Sequence, residues 1–157
     1  MPFDPEIARS FVLAVPPGWG EQALVSAIAA SGASEKIVRT GWVEQPDLAA
    51  LLSRASLLAF PSLYEGFGFP PLQAMHAGVP VVATRAGSLP EVLGDGALLV
   101  EVGDHDGLVE ALVSCLGDEG ERRRLIAAGT AWSARYSWER CGDELEALYR
   151  DAAAGRG

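Results

Sequence analysis

Five short runs of aliphatic and β-branched residues, at 11–15, 36–40, 57–60, 79–84 and 97–100, constrain this chain more than any other feature. None alternates apolar with polar residues, and a continuously apolar strand is one buried on both faces. Amphipathic segments separate them at 21–31, 47–54, 70–77 and 89–93. Strand and helix in alternation imply an α/β protein: a parallel sheet of about five strands with helices on both faces. The last third reads as helical. Leu108, Val109, Leu112, Val113 and Leu116 form one apolar stripe, and Leu125, Ile126 and Trp132 another. A final helix is expected from Trp138, behind Ser137 as N-cap, burying Cys141, Leu145, Leu148 and Tyr149.

A chain of 157 residues with 49% hydrophobic content is expected to form one domain over 1–157. At that length roughly two thirds of the unfolded surface is buried. No apolar run approaches the ~20 residues of a membrane span. The opening Met1-Pro2-Phe3-Asp4 has no basic region followed by an apolar one, so no leader is read and a cytoplasmic location is expected. Twelve basic against twenty-one acidic residues give a net charge of −9. That balance argues against a nucleic-acid or anionic-membrane surface, which needs clustered positive charge. Cys115 and Cys141 lie far apart without metal-ligand spacing and read as reduced core thiols. His105 near Asp104 and Asp106 points only faintly to a metal; a helix-start aspartate is the better reading, and no metal is expected.

The chemistry concentrates in Pro61-Ser62-Leu63-Tyr64-Glu65-Gly66-Phe67-Gly68-Phe69-Pro70-Pro71-Leu72-Gln73-Ala74-Met75-His76-Ala77-Gly78. A buried strand ends near Phe60, a glycine loop follows, and Pro70 stands where proline is favoured in a helix first turn. The N–H groups of Gly66, Phe67, Gly68 and Phe69 then surround a helix N-terminus, where donors and dipole favour an anion such as phosphate. Ligands of open parallel sheets also bind at the carboxyl ends of strands. The competing reading is a plain strand–helix turn that uses glycine for its backbone freedom. Glu65 precedes the loop and Gln73 lies one turn inside the helix. Helical side chains lean toward the N-terminus, so Gln73 is in reach of the same ligand. Acceptors flanking an anion site suit a phosphate bearing hydroxylated groups, that is, a nucleotide sugar. The competing readings are a solvated loop carboxylate for Glu65 and an exposed helix residue for Gln73. His76 is expected to be packed or half-exposed rather than catalytic. Ser88-Leu89-Pro90-Glu91 fits a capping box, and its loop also follows a strand end, which leaves a donor-sugar contact open for Ser88.

These residues, with Val79-Pro80-Val81-Val82-Ala83-Thr84, Gly87-Ser88-Leu89-Pro90-Glu91-Val92, Pro16-Pro17-Gly18-Trp19-Gly20 and Tyr136-Ser137-Trp138-Glu139-Arg140, closely resemble the retaining glycosyltransferases of family four, of GT-B fold. The resemblance runs from about Phe11 to the end. It implies the Rossmann-like, donor-binding C-terminal domain of a hexosyltransferase using a nucleotide-diphosphate sugar of GDP-mannose or UDP-glucose type, without a metal or other cofactor. In the family signature two glutamates are separated by seven residues. Glu65 matches the first, which contacts the donor sugar and is the catalytic candidate. Gln73 stands where the second holds the ribose, and it offers a weaker, neutral acceptor there. Trp42 and Val43 fall in the region that flanks the nucleobase.

The family's first strand, its diphosphate-gripping Arg and Lys, and its N-terminal acceptor domain find no counterpart. The resemblance therefore implies a domain truncated on its N-terminal side and inactive alone, partnered by a separate acceptor-domain chain or by self-association. Strands 11–15 and 57–60 are then expected to pair directly, or to receive a strand from another chain. The alternative function is a non-catalytic nucleotide-sugar-binding remnant or one subunit of a split glycosyltransferase. Sugar-nucleotide epimerases share the architecture, but the glycine loop and Pro-Pro helix start fit the transferases better.

Overall fold

A computed structural model describes residues 11–13 and 20–155. The end of the expected strand 11–15 and the segment Pro16-Pro17-Gly18-Trp19 lie outside the described residues. The chain divides into two compact units, Met1–Ala55 and Ser56–Gly157.

In the first unit β1 (Phe11–Leu13) and β2 (Ile37–Arg39) form a parallel pair in the register Phe11 to Ile37, Val12 to Val38 and Leu13 to Arg39. Helix α1 (Glu21–Ala30) lies between them in the chain, and α2 (Gln45–Leu52) follows. Gly20 caps α1 at φ +84, a left-handed conformation that glycine adopts without steric cost. Arg39 of β2 is ion-paired with Glu21 of the α1 first turn. Leu52 is this unit's buried apolar side chain among the described residues. Val38 is 49% exposed, so β2 is not the doubly covered strand that its composition suggests.

The second unit holds a three-stranded parallel sheet, β3 (Leu58–Phe60), β4 (Val81–Thr84) and β5 (Leu98–Val100), in that order. All four residues of β4 are buried, as a continuously apolar central strand should be. Helix α3 (Phe69–His76) joins β3 to β4 and packs on both, and α4 (Leu89–Leu93) leads toward β5. Then come α5 (His105–Gly117), α6 (Glu119–Ser133) and α7 (Trp138–Ala153). Their starts are fixed by acceptors in the sequence: Asp104 takes the Gly107 N–H at 2.9 Å, Asp118 those of Gly120 and Glu121, and Ser137 that of Arg140. The core is built on Met75, Val81, Val82, Leu89, Leu93, Cys115 and Leu125. Helix α6 approaches the turn at 94–96 through glycine. A Cβ on Gly96 would overlap Met75 Cε and come within 3.0 Å of Gly129 Cα. Beside it the Trp132 indole N–H donates to the Val92 carbonyl at 2.9 Å.

The α/β class, the parallel strands and the helical C-terminal third follow the sequence expectation. Two of the described strands lie in the first unit and three in the second. Two helices differ from what the sequence suggests. Helix α5 buries Cys115 and half-buries Leu108, Ala111 and Leu112 while exposing Val109, Val113 and Leu116, a face turned by one residue from the expected stripe. Helix α7 buries none of its residues: Leu145, Leu148 and Tyr149 are exposed, and Cys141 is a surface thiol rather than a core one. Among the described residues no helix is long and apolar enough to cross a membrane.

Two predictions follow from this packing. Burial, with the nearby Glu121 charge adding to it, raises the Cys115 pKa and holds the group as a thiol. A thiol-reactive probe should therefore modify Cys141 in the folded chain and reach Cys115 only after unfolding; rapid double labelling of the native protein would contradict the placement. Gly96→Ala should lower stability by about 1–3 kcal/mol through overpacking. Gly117→Ala, at the exposed end of α5 with open space around it, should be neutral or slightly stabilising in the same urea titration.

Candidate functional site

The loop from β3 to α3 is held against the turn that leaves β4, and that contact builds the site. At the end of β4 the buried Thr84 hydroxyl donates to the Ser62 carbonyl at 2.5 Å. Three residues on, Gly87 has φ +54 and lies so close that a Cβ would overlap the Glu65 carbonyl oxygen. The Ser88 N–H donates to that same carbonyl at 3.1 Å. The Ser88 hydroxyl is 3.2 Å from the Glu65 carbonyl oxygen and 3.0 Å from that of Phe67.

Gly68 turns the chain into α3 at φ +102, a conformation that disfavours other residues. It is buried, and a Cβ there would overlap Leu89 Cδ2. Pro70 and Pro71 bring no N–H to the helix start, so the first helical hydrogen bond runs from Leu72 N–H to Gly68 at 3.2 Å. Among the described residues the N–H groups of Gly66, Phe67, Gly68 and Phe69 make no hydrogen bond. Open space surrounds the Gly66 Cα. Phe67 is braced by Phe69, with ring centroids 4.6 Å apart, and by an edge contact to Tyr136 at 6.2 Å. The result is four unpartnered backbone donors at a helix N-terminus, at the carboxyl end of a parallel strand. Such an arrangement receives an anion.

The expected site residues fall out as follows. Glu65 is half-buried within the loop, next to the N–H groups of Gly66, Phe67, Gly68 and Phe69. Gln73 is exposed on the second turn of the helix that this loop starts. Trp42 and Val43 belong to the first unit; Trp42 is exposed and its indole N–H donates to the Glu44 carboxylate at 3.3 Å. His76 is exposed in the last turn of α3, not packed. Ser88 occupies the N-cap position of α4, yet its hydroxyl caps nothing, so the expected capping box is not made. Its backbone is already helical (φ −77, ψ −12), whereas a capping side chain needs an extended residue beneath it. The hydroxyl turns to the loop carbonyls instead. Gly87 and Tyr136 support the site without having been singled out; a glycine between a strand end and a helix start was the available signal for the first. Among the described residues no group of His, Cys, Asp and Glu is arranged to hold a metal.

The loop and helix from Pro61 to Gly78 contain no Lys or Arg, so what this segment itself offers an anion is backbone N–H groups and the helix dipole. A separate cleft of about 610 Å³ opens at the β5 edge between Arg85, Pro90, Asp95, Leu98, Leu99 and Arg124, and holds none of the expected site residues. Both its arginines are engaged, Arg85 with Glu101 at 3.2 Å and Arg124 with Glu121 at 2.7 Å.

Parallel strands joined through helices, with a glycine loop at a strand end, define an α/β protein. The family model for glycosyl transferases group 1 matches residues 5–118, and the chain belongs to that family. It is 33% identical over 150 residues to the O-antigen chain mannosyltransferase B of Escherichia coli, covering 96% of this chain and 39% of that protein. It is 40% identical over 131 residues to the MMP alpha-(1->4)-mannosyltransferase of Mycolicibacterium hassiacum, covering 81% and 32%. Among solved structures, HepE of Anabaena in complex with UDP superposes with a TM-score of 0.81 at 22% identity, over 94% of this chain and 43% of that one. The chain thus spans about a third to two-fifths of the length of these curated relatives. The family and the GT-B fold expected from the motifs are both found.

Gly87→Ala tests the loop contact directly. A positive φ and overlap with the Glu65 backbone should together lower stability by about 1–3 kcal/mol. Urea unfolding measures it, and an unchanged midpoint would show that the two loops are not in backbone contact.

Proposed function

We propose that this chain is the donor-binding half of a retaining hexosyltransferase that uses a nucleotide-diphosphate sugar of GDP-mannose or UDP-glucose type. The observation that carries this reading is the set of free amides at Gly66, Phe67, Gly68 and Phe69, seated at the carboxyl end of β3. The leaving diphosphate gains negative charge as the glycosidic bond breaks, and preorganised donors aimed at that charge lower the barrier. Glu65 holds the sugar, and Gln73 the ribose hydroxyls. The mannosyltransferase relatives support a hexosyl donor, and the UDP-bound structural neighbour fits a nucleoside diphosphate.

In this reading the 157-residue chain does not complete transfer alone, since it corresponds to a fraction of each relative, and a separate acceptor-binding body supplies the rest. A second reading, a module that binds nucleotide sugar without turning it over, is favoured by Gln73 and by the lack of a cation from Pro61 to Gly78. The two divide on whether an acceptor-domain partner restores product formation.

Titration with UDP, GDP and their sugars by calorimetry tests donor binding, with affinities weaker than ~1 μM, about −8 kcal/mol, expected. Binding of none of them would reject the reading. Gln73→Glu carries a sharper sign. A carboxylate accepts ribose hydroxyls through charge-assisted hydrogen bonds of about 1.5–3 kcal/mol each. Its repulsion of a phosphate charge through water is weaker, under about 1 kcal/mol beyond about 4 Å. The variant should therefore tighten UDP or GDP and slightly weaken inorganic pyrophosphate. Isotherms unchanged for both ligands would remove Gln73 from the site.

A further inference from the structure

The Ser88 hydroxyl lies between two carbonyls of the glycine loop, and the geometry of the peptide unit gives that contact a consequence. In a planar trans peptide the C=O of one residue points opposite to the N–H of the next. The Glu65 carbonyl, held by the Ser88 N–H at 3.1 Å and facing its hydroxyl at 3.2 Å, therefore directs the Gly66 N–H away from Ser88. The Phe67 carbonyl, 3.0 Å from the same hydroxyl, does the same for the Gly68 N–H. Two peptide planes in a loop rich in glycine, each free to flip at little steric cost, are thus fixed in one sense. Gly87 completes the clamp, because only a residue without a side chain lets the turn come so near the Glu65 backbone.

We infer that Ser88 is a positioning residue: it touches no ligand and aims the Gly66 and Gly68 amides at the diphosphate. This rests on the donor-binding reading for the identity of the anion, but the orientation of the loop does not. Ser88 does not fill the helix-capping role expected of a serine here, since its hydroxyl makes no cap bond and faces the loop carbonyls.

The test uses the full chain with Ser88→Ala and Ser88→Thr. Backbone ¹⁵N relaxation without ligand should show the Gly66 and Gly68 amides loosened in the alanine variant and restored by threonine, which keeps the hydroxyl. Unchanged order at both glycines in Ser88→Ala would overturn the inference. In parallel, UDP and uridine are titrated, or GDP and guanosine, whichever pair binds. Alanine should weaken the diphosphate about tenfold, the scale of one charge-assisted hydrogen bond. The nucleoside should bind as before. Equal weakening of nucleoside and diphosphate would also overturn it, because a general loss of structure affects both. If the unaltered chain binds no nucleotide while the glycines still loosen, the donor reading fails and the loop clamp stands.

Discussion

Strand β4 has parallel partners on both edges and no exposed side chain, and the second unit is arranged around its two ends. At its amino end Pro80 accepts from Leu58, locking the start of β3 in register. At its carboxyl end Thr84, Gly87 and Ser88 reach in succession to Ser62, Glu65 and Phe67. The loop that carries the candidate site is therefore tied to the most buried element of the unit through backbone and hydroxyl contacts. A loop fixed in this way keeps its donors in place before any ligand arrives, so little ordering entropy opposes binding. Helix α6 supports the same arrangement from behind. Its Gly129 lets Met75 of α3 and the turn at 94–96 close on one another, and Trp132 ties that turn to Val92.

What was legible in the sequence was whatever depends on one residue and its near neighbours. The starts of α5 and α7 follow from Asp104 and Ser137, whose side chains accept the N–H groups they were placed to accept. Pro70 and Pro71 marked the start of α3, and the unbroken Val81-Val82-Ala83 marked the strand buried on both faces. The less legible features depend on contacts between elements. Periodicity places an apolar stripe on α5 but does not choose between Leu108, Leu112 and Cys115, which pack inward, and Val109, Val113 and Leu116, one residue round the helix. Helix α7 has the cleanest amphipathic pattern of the chain, yet none of its residues is buried, because a pattern reports that a face suits burial and not what lies opposite.

The candidate site divides along the same line. Glycines at 66 and 68, the prolines and Glu65 were visible because the strand–loop–helix unit is local. Ser88 was read correctly as standing at a helix start and incorrectly as its cap. The signal that separates these outcomes is the backbone angle at Ser88, which is set by the contact of Gly87 with Glu65, more than twenty residues away in the chain. A hydroxyl in the wrong orientation to cap is left with one proton to donate, and two loop carbonyls lie within its range. Tertiary contact thus turned a helix-capping residue into a loop tether.

The charge of the chain sharpens what such a site has to achieve. At −9 overall it repels an anion at long range, although salt screens this beyond about 8 Å. Among the described residues, most arginines that make ion pairs do so with neighbouring carboxylates on exposed helix faces, as in Arg140 with Glu144 and Arg150 with Glu146. Pairs of that kind contribute little to stability and leave little positive field for a ligand. Attraction at the glycine loop then comes from backbone dipoles at close range, a helix N-terminus carrying about half a positive charge. A dipole source is short-ranged and directional, so its strength depends on orientation in a way that a lysine's does not: a flipped peptide presents a carbonyl where an amide stood, and attraction becomes repulsion. For a loop that brings no side-chain cation of its own, the contacts that fix the sense of each peptide plane determine affinity as directly as the groups that touch the ligand.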